Sequence, residues 1–114
     1  MRKMKTAELM SDNKKYVFAH RGGSIENPEN TMQAFKASNK LGAIIETDVR
    51  CTKDGQVVVC HDADLGRITG TSQLVAETNF EDLQKQFTKH IWVEFGHNDY
   101  EVKDTDAAEV CTLE

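Results

Sequence analysis

The sequence predicts an α/β fold that opens with a parallel β–α–β unit. Three observations predict it. The short apolar run YVFA at 16–19 leads into His20-Arg21-Gly22-Gly23, which reads as a buried strand entering a glycine loop. A helix signal follows in the segment SIENPENTMQAFKASNKLG. The run AIIETDV then reads as a second strand. Two strands joined through a helix are expected to lie parallel.

Each element carries its own signals. Asn27 or Asn30 can cap the first helix, and Pro28 suits its first turn. Met32, Ala34, Phe35, Ala37 and Leu41 supply an apolar stripe, and Gly42 is placed to stop the helix. VRCTKDGQVVVCHD reads as a hairpin around Asp54-Gly55. Residues 63–77 read as irregular. Thr78 and Glu81 have the spacing of a capping box, ahead of a helix that carries Phe80, Leu83 and Phe87. IWVEF at 91–95 reads as a further strand.

A chain of 114 residues suffices for one modest domain and is too short for two. The net charge of −5 argues against a broad basic surface for nucleic acid, but it leaves room for a local basic pocket for one phosphate. The three cysteines, Cys51, Cys60 and Cys111, lack CxxC or zinc spacing and read as reduced thiols. The basic N-terminus has no apolar core of a secretory signal, and no run approaches the ~18 apolar residues of a membrane span. The expectation is a cytoplasmic protein. Attachment to a membrane through a segment outside this sequence is compatible with it.

The candidate chemistry lies at 43–62, AIIETDVRCTKDGQVVVCHD. Glu46 and Asp48 are two apart in a strand and therefore share a face. A two-residue turn at Asp54-Gly55 would set Arg50 opposite Val59 and Asp48 opposite His61. Val49, Cys51, Val58 and Cys60 would then form the apolar face. A four-residue loop would set His61 opposite Glu46. A three-residue loop without a compensating bulge would turn His61 away. Paired carboxylates repel, and a hard divalent cation such as Mg²⁺ or Ca²⁺ relieves that. Spacing alone leaves two readings open, a cation site or a solvated acidic face.

Four motifs occur in order: AHRGG at 19–23, NPENTMQAF at 27–35, ETDVRCTKDGQVVVCHD at 46–62, and DADLGRITGT at 62–71. Over residues 16–87 the chain resembles the N-terminal half of the glycerophosphodiester phosphodiesterase family. The resemblance implies a (β/α)8 TIM barrel, here incomplete, with the first few strands and helices only. It implies cleavage of a small-molecule or lysophospholipid phosphodiester to glycerol 3-phosphate and an alcohol, with no nucleic-acid partner. Glu46 and Asp48 would then be metal ligands, and His20 and His61 the acid–base pair. Arg21 would hold the phosphate, and Glu29 would support these groups.

A complete barrel takes about 250 residues. The expected organisation is a polar tail over 1–13, a partial domain over 14–87 and a divergent segment over 88–114. The family's third metal ligand lies in an E-x-K pattern, which Glu101-Val102-Lys103 fits. His90 and His97 lie outside the motifs and read as ordinary surface or strand residues. A second reading is a catalytically inactive remnant, at most a metal- or phosphate-binding module. An open barrel edge would expose strand edges and apolar surface, a route to self-association.

Overall fold

The structure, a computed structural model, describes residues 13–24, 26–87 and 109–113. Its first half is the expected parallel unit. Strand β1 (Phe18–His20) pairs with β2 (Ile44–Glu46), and helix α1 (Met32–Lys40) connects them. The register sets Phe18 opposite Ile44, Ala19 opposite Ile45 and His20 opposite Glu46.

Helix α1 begins and ends for identifiable reasons. Thr31 is the N-cap, its Oγ1 accepting the Ala34 N–H at 3.2 Å and donating to the Pro28 carbonyl at 2.7 Å. Pro28 therefore precedes the cap instead of sitting in the first turn, and neither Asn27 nor Asn30 caps. Gly42 does stop the helix, in the left-handed conformation at φ 71°. The Gly42 N–H donates to Asn39 O and the Ala43 N–H to Ser38 O, which satisfies the last carbonyls. The expected apolar stripe is only partly used. Ala34 is buried, but Met32 and Leu41 are exposed, and the second buried position is Ser38. Helix α1 packs close enough for a small polar contact, Ser38 Oγ donating to Gly22 O at 2.8 Å. Gly22 permits that approach. At φ 79° it is left-handed, and a Cβ there would meet the Phe35 ring at 2.6 Å.

After β2 the chain forms an antiparallel hairpin, β3 (Val49–Cys51) and β4 (Val57–Val59). The turn is not the two-residue form. Arg50 pairs with Val58 and Cys51 with Val57, the register of a three-residue loop over 53–55. Gly55 at φ 86° closes that loop, donating to Thr52 O, while the Thr52 N–H donates to Gln56 O. A type I turn followed by a left-handed glycine gives this geometry. The apolar face changes with the register. Val58, Val59 and Cys60 are buried, whereas Val49, Cys51 and Val57 are exposed.

Residues 63–77, read from sequence as irregular, are built of short regular elements. They form β5 (Asp64–Leu65), the short helix α2 (Gly66–Thr69), β6 (Thr71–Leu74) and a 3₁₀ turn, Val75–Glu77. Short elements of two to four residues leave no periodicity to read. Helix α3 (Phe80–Phe87) follows. Its N-terminus is capped from outside: Asp54 Oδ1, in the hairpin turn, accepts the Phe80 N–H at 3.0 Å. Thr78 Oγ1 instead donates back to Leu74 O at 2.8 Å, so the expected capping box does not form.

The main core lies in this second half. Val58, Cys60, Leu65, Ile68, Val75, Leu83, Phe87 and Val110 form one buried cluster, with Phe80 packed against it. Residues near 110 extend the hairpin. Val58 bridges antiparallel to Thr112, and the Val59 N–H donates to Cys111 O at 2.8 Å. The expected strand at 91–95, together with Glu101, His90 and His97, lies outside the described residues.

Candidate functional site

The site gathers beyond the carboxyl end of β1. His20 is the last residue of that strand, and the register places it beside Glu46, the last residue of β2. Their side chains approach at 3.8 Å, His20 Nε2 to Glu46 Oε2, and both are open to solvent. Arg21 comes next, at φ 51°, the left-handed region that costs a non-glycine residue roughly 1–2 kcal/mol. That conformation has two visible results. The Arg21 N–H donates to Glu46 Oε2 at 3.2 Å, and the guanidinium turns into the protein while His20 stays out.

Inside, five side chains form a closed ring. Arg21 Nη1 donates to both oxygens of Glu29, at 3.3 and 3.4 Å. Glu29 also receives a two-pronged contact from Arg67, at 2.6 and 2.7 Å. Arg67 Nε donates to Asp62 Oδ2 at 2.7 Å. Asp62 Oδ1 lies 2.7 Å from His61 Nδ1, and His61 Nε2 lies 3.0 Å from Arg21 Nη2. The main chain supports this ring. Asn30, left-handed at φ 57°, donates its N–H to Arg21 O and accepts from Thr47 Oγ1 at 2.6 Å. Arg50 grips the His61 carbonyl through Nε and Nη2, at 3.1 and 2.6 Å.

That grip explains why His61 reaches the site despite the three-residue loop. The ladder of β4 ends at Val59, so the alternation of faces no longer binds residue 61. The chain bends there, and the ring turns toward Arg21.

The charges follow from these contacts. Burial alone would raise the Glu29 carboxyl. The Arg67 fork, then the Arg67 and Arg21 charges, outweigh it and hold that carboxyl below its ordinary range. Asp62 shows the same balance: burial raises it, and the His61 and Arg67 hydrogen bonds lower it further than burial lifts it. Arg67 is pushed higher by its bond to Glu29, against the opposing effect of burial. Burial, then the nearby Asp62 charge, pushes the Cys60 thiol up to about 11, so it remains protonated and unreactive. Arg21 Nε is buried and has no hydrogen-bond partner among the described residues.

Of the six residues singled out from sequence, five are thus linked in one chain of contacts: His20, Glu46, Arg21, Glu29 and His61. Asp48 lies between β2 and β3, half-buried, its main-chain oxygen accepting from the Cys60 N–H. Among the described residues no group of three or more His, Cys, Asp or Glu side chains converges to hold a metal ion. The solvent-accessible Glu46 carboxylate is an oxygen donor of the kind a hard cation takes. Sequence reasoning gave no role to Arg67, Asp62 or Arg50. All three stand inside motifs, but nothing in their spacing announces pairings as distant as Arg67 with Glu29, 38 residues apart.

A parallel β–α–β opening with polar side chains collected beyond its strand ends is the arrangement of (β/α)8 proteins. The described residues form an incomplete barrel of that class, its first few strands and helices. The Glycerophosphoryl diester phosphodiesterase family model matches residues 20–114, and the chain belongs to that family. The chain is 48% identical over 71 residues to the putative glycerophosphodiester phosphodiesterase YhdW of Bacillus subtilis, covering 61% of this chain and 29% of that protein. A lysophospholipase D of Rattus norvegicus is 40% identical over 92 residues, covering 75% of this chain and 29% of its own length. The crystal structure of glycerophosphodiester phosphodiesterase from Thermotoga maritima matches with a TM-score of 0.63 at 35% identity, over 68% of this chain and 35% of that one. An Oleispira antarctica phosphodiesterase, solved in complex with the product sn-glycerol-3-phosphate, matches with a TM-score of 0.68 at 29% identity, over 87% of this chain and 37% of that one. The chain thus spans about a third of the length of these relatives. Among the described residues no helix is long and apolar enough to cross a membrane.

Proposed function

We propose that this chain carries part of a site that hydrolyses glycerophosphodiesters to glycerol 3-phosphate and an alcohol. The observation that carries the reading is the chain of contacts from His20 to Glu46, Glu46 to Arg21 and Arg21 to His61, drawn from two separate motifs to one strand end. The product bound in the Oleispira antarctica relative supports the substrate class, and the lysophospholipase D relative extends it to lysophospholipids.

The roles follow from chemistry. Arg21 presents planar donors suited to phosphate, and its buried Nε has no partner among the described residues. Glu29 faces the Arg21 guanidinium at 3.3 Å and balances its charge. His20 and His61 serve as acid and base, since an imidazole ring can give or take a proton. Glu46 and Asp48 would hold a divalent cation, Mg²⁺ or Ca²⁺, which when bound offsets phosphate charge and polarises the phosphoryl oxygens. The three free thiols support a cytoplasmic setting. Exposed Val17 and Phe18 lie at β1, whose one partner strand among the described residues is β2, and exposed Leu41 ends α1; they offer a surface for self-association. A mass that rises with concentration in sedimentation would support that contact, and a monomer throughout would remove it.

The test is release of glycerol 3-phosphate from glycerophosphocholine by the purified chain with Mg²⁺ or Ca²⁺. Turnover abolished in Glu46→Ala is the expected result. Turnover that survives in Glu46→Ala, or none from the native chain, overturns the reading. Calorimetric cation binding lost in Asp48→Ala, without any turnover, would identify the chain as an inactive metal-binding module.

A further inference from the structure

We infer that Arg67 and Asp62 are positioning residues for this site: Arg67 ties Asp62 to Glu29, and Asp62 thereby fixes the tautomer and direction of His61. The inference rests on the reading in which Arg21 meets phosphate and His61 carries a proton.

The argument begins with donor counting. A guanidinium has only donors. Arg21 Nη2 lies 3.0 Å from His61 Nε2, so that nitrogen must be the acceptor and carries no proton. The proton of neutral His61 therefore sits on Nδ1, where Asp62 Oδ1 accepts it at 2.7 Å. Asp62 can hold one ring orientation only if its own carboxylate is fixed. Arg67 Nε, at 2.7 Å from the other oxygen, does that.

Bond lengths then separate the two arginines. Charge-assisted N–H···O bonds run about 2.7–2.9 Å. Arg67 meets Glu29 at 2.6 and 2.7 Å, whereas Arg21 meets the same carboxylate at 3.3 and 3.4 Å. Arg67 is the fixed counter-ion of buried Glu29, and Arg21 is the loosely held arm. An anion that draws Arg21 away leaves Glu29 still paired. The same movement uncovers the His61 Nε2 lone pair, which can then take a proton, while Asp62 keeps the ring pointed. Without Arg67, the departure of Arg21 would strand a buried carboxylate, and Asp62 would lose its orientation.

The test reads the imidazole directly and needs no turnover. Nitrogen-15 NMR of the histidine-labelled full chain distinguishes a protonated Nδ1 from a protonated Nε2. The His61 signal among the four histidines is assigned with His61→Gln. At a pH where His61 is neutral, the expected native pattern is protonated Nδ1 and bare Nε2. Arg67→Lys keeps the charge but loses the fork, and Asp62→Ala removes the acceptor. Arg21 keeps Nε2 an acceptor only while the ring faces it; without a fixed Asp62 the ring is free to turn, so each variant is expected to lose the Nδ1–H pattern in favour of a mixture, with the backbone amide spectrum still that of a folded chain. If Arg67→Lys fails to fold, Asp62→Ala decides alone, since its half-exposed carboxylate lies outside the apolar cluster. A native chain with the proton on Nε2 overturns the inference. So does an unchanged Nδ1–H pattern in the variants that fold. Absence of glycerol 3-phosphate release would instead count against the functional reading, and would leave the tautomer result standing.

Discussion

The two halves of this molecule are held together by different physics. The β1–α1–β2 half buries little apolar surface, chiefly Ala19 and Ala34, and beside them it buries Arg21, Glu29, Asn30, Thr31 and Ser38. The half built from β3 to α3 buries Val58, Leu65, Val75, Leu83 and Phe87 in one cluster. Apolar burial is non-directional and tolerant of detail. Buried ionic contacts are directional and costly unless every partner is in place. The first half therefore depends on geometry, and it is the half whose strand ends carry the candidate chemistry. The second half supplies a platform, and it sends Asp62, Arg67 and His61 back to complete the polar ring.

The largest effect that would separate the halves is loss of the platform. Phe87 is 1% exposed at the end of α3. Phe87→Ala should cost about 3–5 kcal/mol, read as a lower midpoint in urea unfolding. A cost under about 1 kcal/mol would mean that the cluster is not the main source of stability.

Next is Glu29→Ala, which removes the carboxylate between the Arg21 and Arg67 guanidiniums and leaves Arg67 only Asp62. Removing one partner from a buried pair typically costs about 3–5 kcal/mol. The lower end is expected here because Arg67 keeps a third of its side chain exposed and solvent screens it. A stability near native would show that the ring is incidental to the first half. The contrast between Phe87→Ala and Glu29→Ala also separates mechanisms: salt should soften the second and leave the first unchanged.

Acidification should reach the same ring by a smaller step. Glu29 and Asp62 are both held below their ordinary values in the folded chain. Their unfolded values are about 4.3 and 3.9. For a depressed carboxyl the stabilisation is fully present above the unfolded value and is lost as pH falls through the folded one. Stability should therefore hold from neutrality to about pH 5 and decline below about pH 4.3. In Glu29→Ala the decline should be shallower. An equal slope in both would place the acid-sensitive groups elsewhere.

The same division explains what could be read from the sequence. Gly42 as helix stop, the parallel strands and the Phe80–Leu83–Phe87 face were legible because local rules fix them: a left-handed glycine, a chain connection and a 3.6-residue period. The hairpin register was not. It turns on whether Asp54-Gly55 is the whole turn or the last two residues of a three-residue loop, and both suit the same residues. The cap of α3 was misread for a tertiary reason: Asp54, 26 residues away, takes the place that Thr78 suits by spacing. The candidate site residues within motifs were singled out through family resemblance. Arg67 was not, because its partner Glu29 is brought near only when the second half folds against the first.

The smallest effect on stability should come from the residue next to the ring. His20 and Arg21 are adjacent, yet one side chain is 66% exposed and the other 11%. The His20 ring lies 3.8 Å from the Glu46 carboxylate, longer than a hydrogen bond. His20→Gln should thus shift stability by less than about 0.5 kcal/mol, within the scatter of surface substitutions. In the proposed reaction the same change removes a proton carrier and should lower turnover by about 10²–10⁴-fold. Unfolding midpoint and glycerol 3-phosphate release, measured on one preparation, give the comparison its sharpest form. A large loss of stability would move His20 into the structural set with Arg21. Unchanged turnover in an active chain would take away its role as acid or base. Neutral stability with lost turnover would show that the left-handed step at Arg21 divides one dipeptide between holding the fold and doing the chemistry.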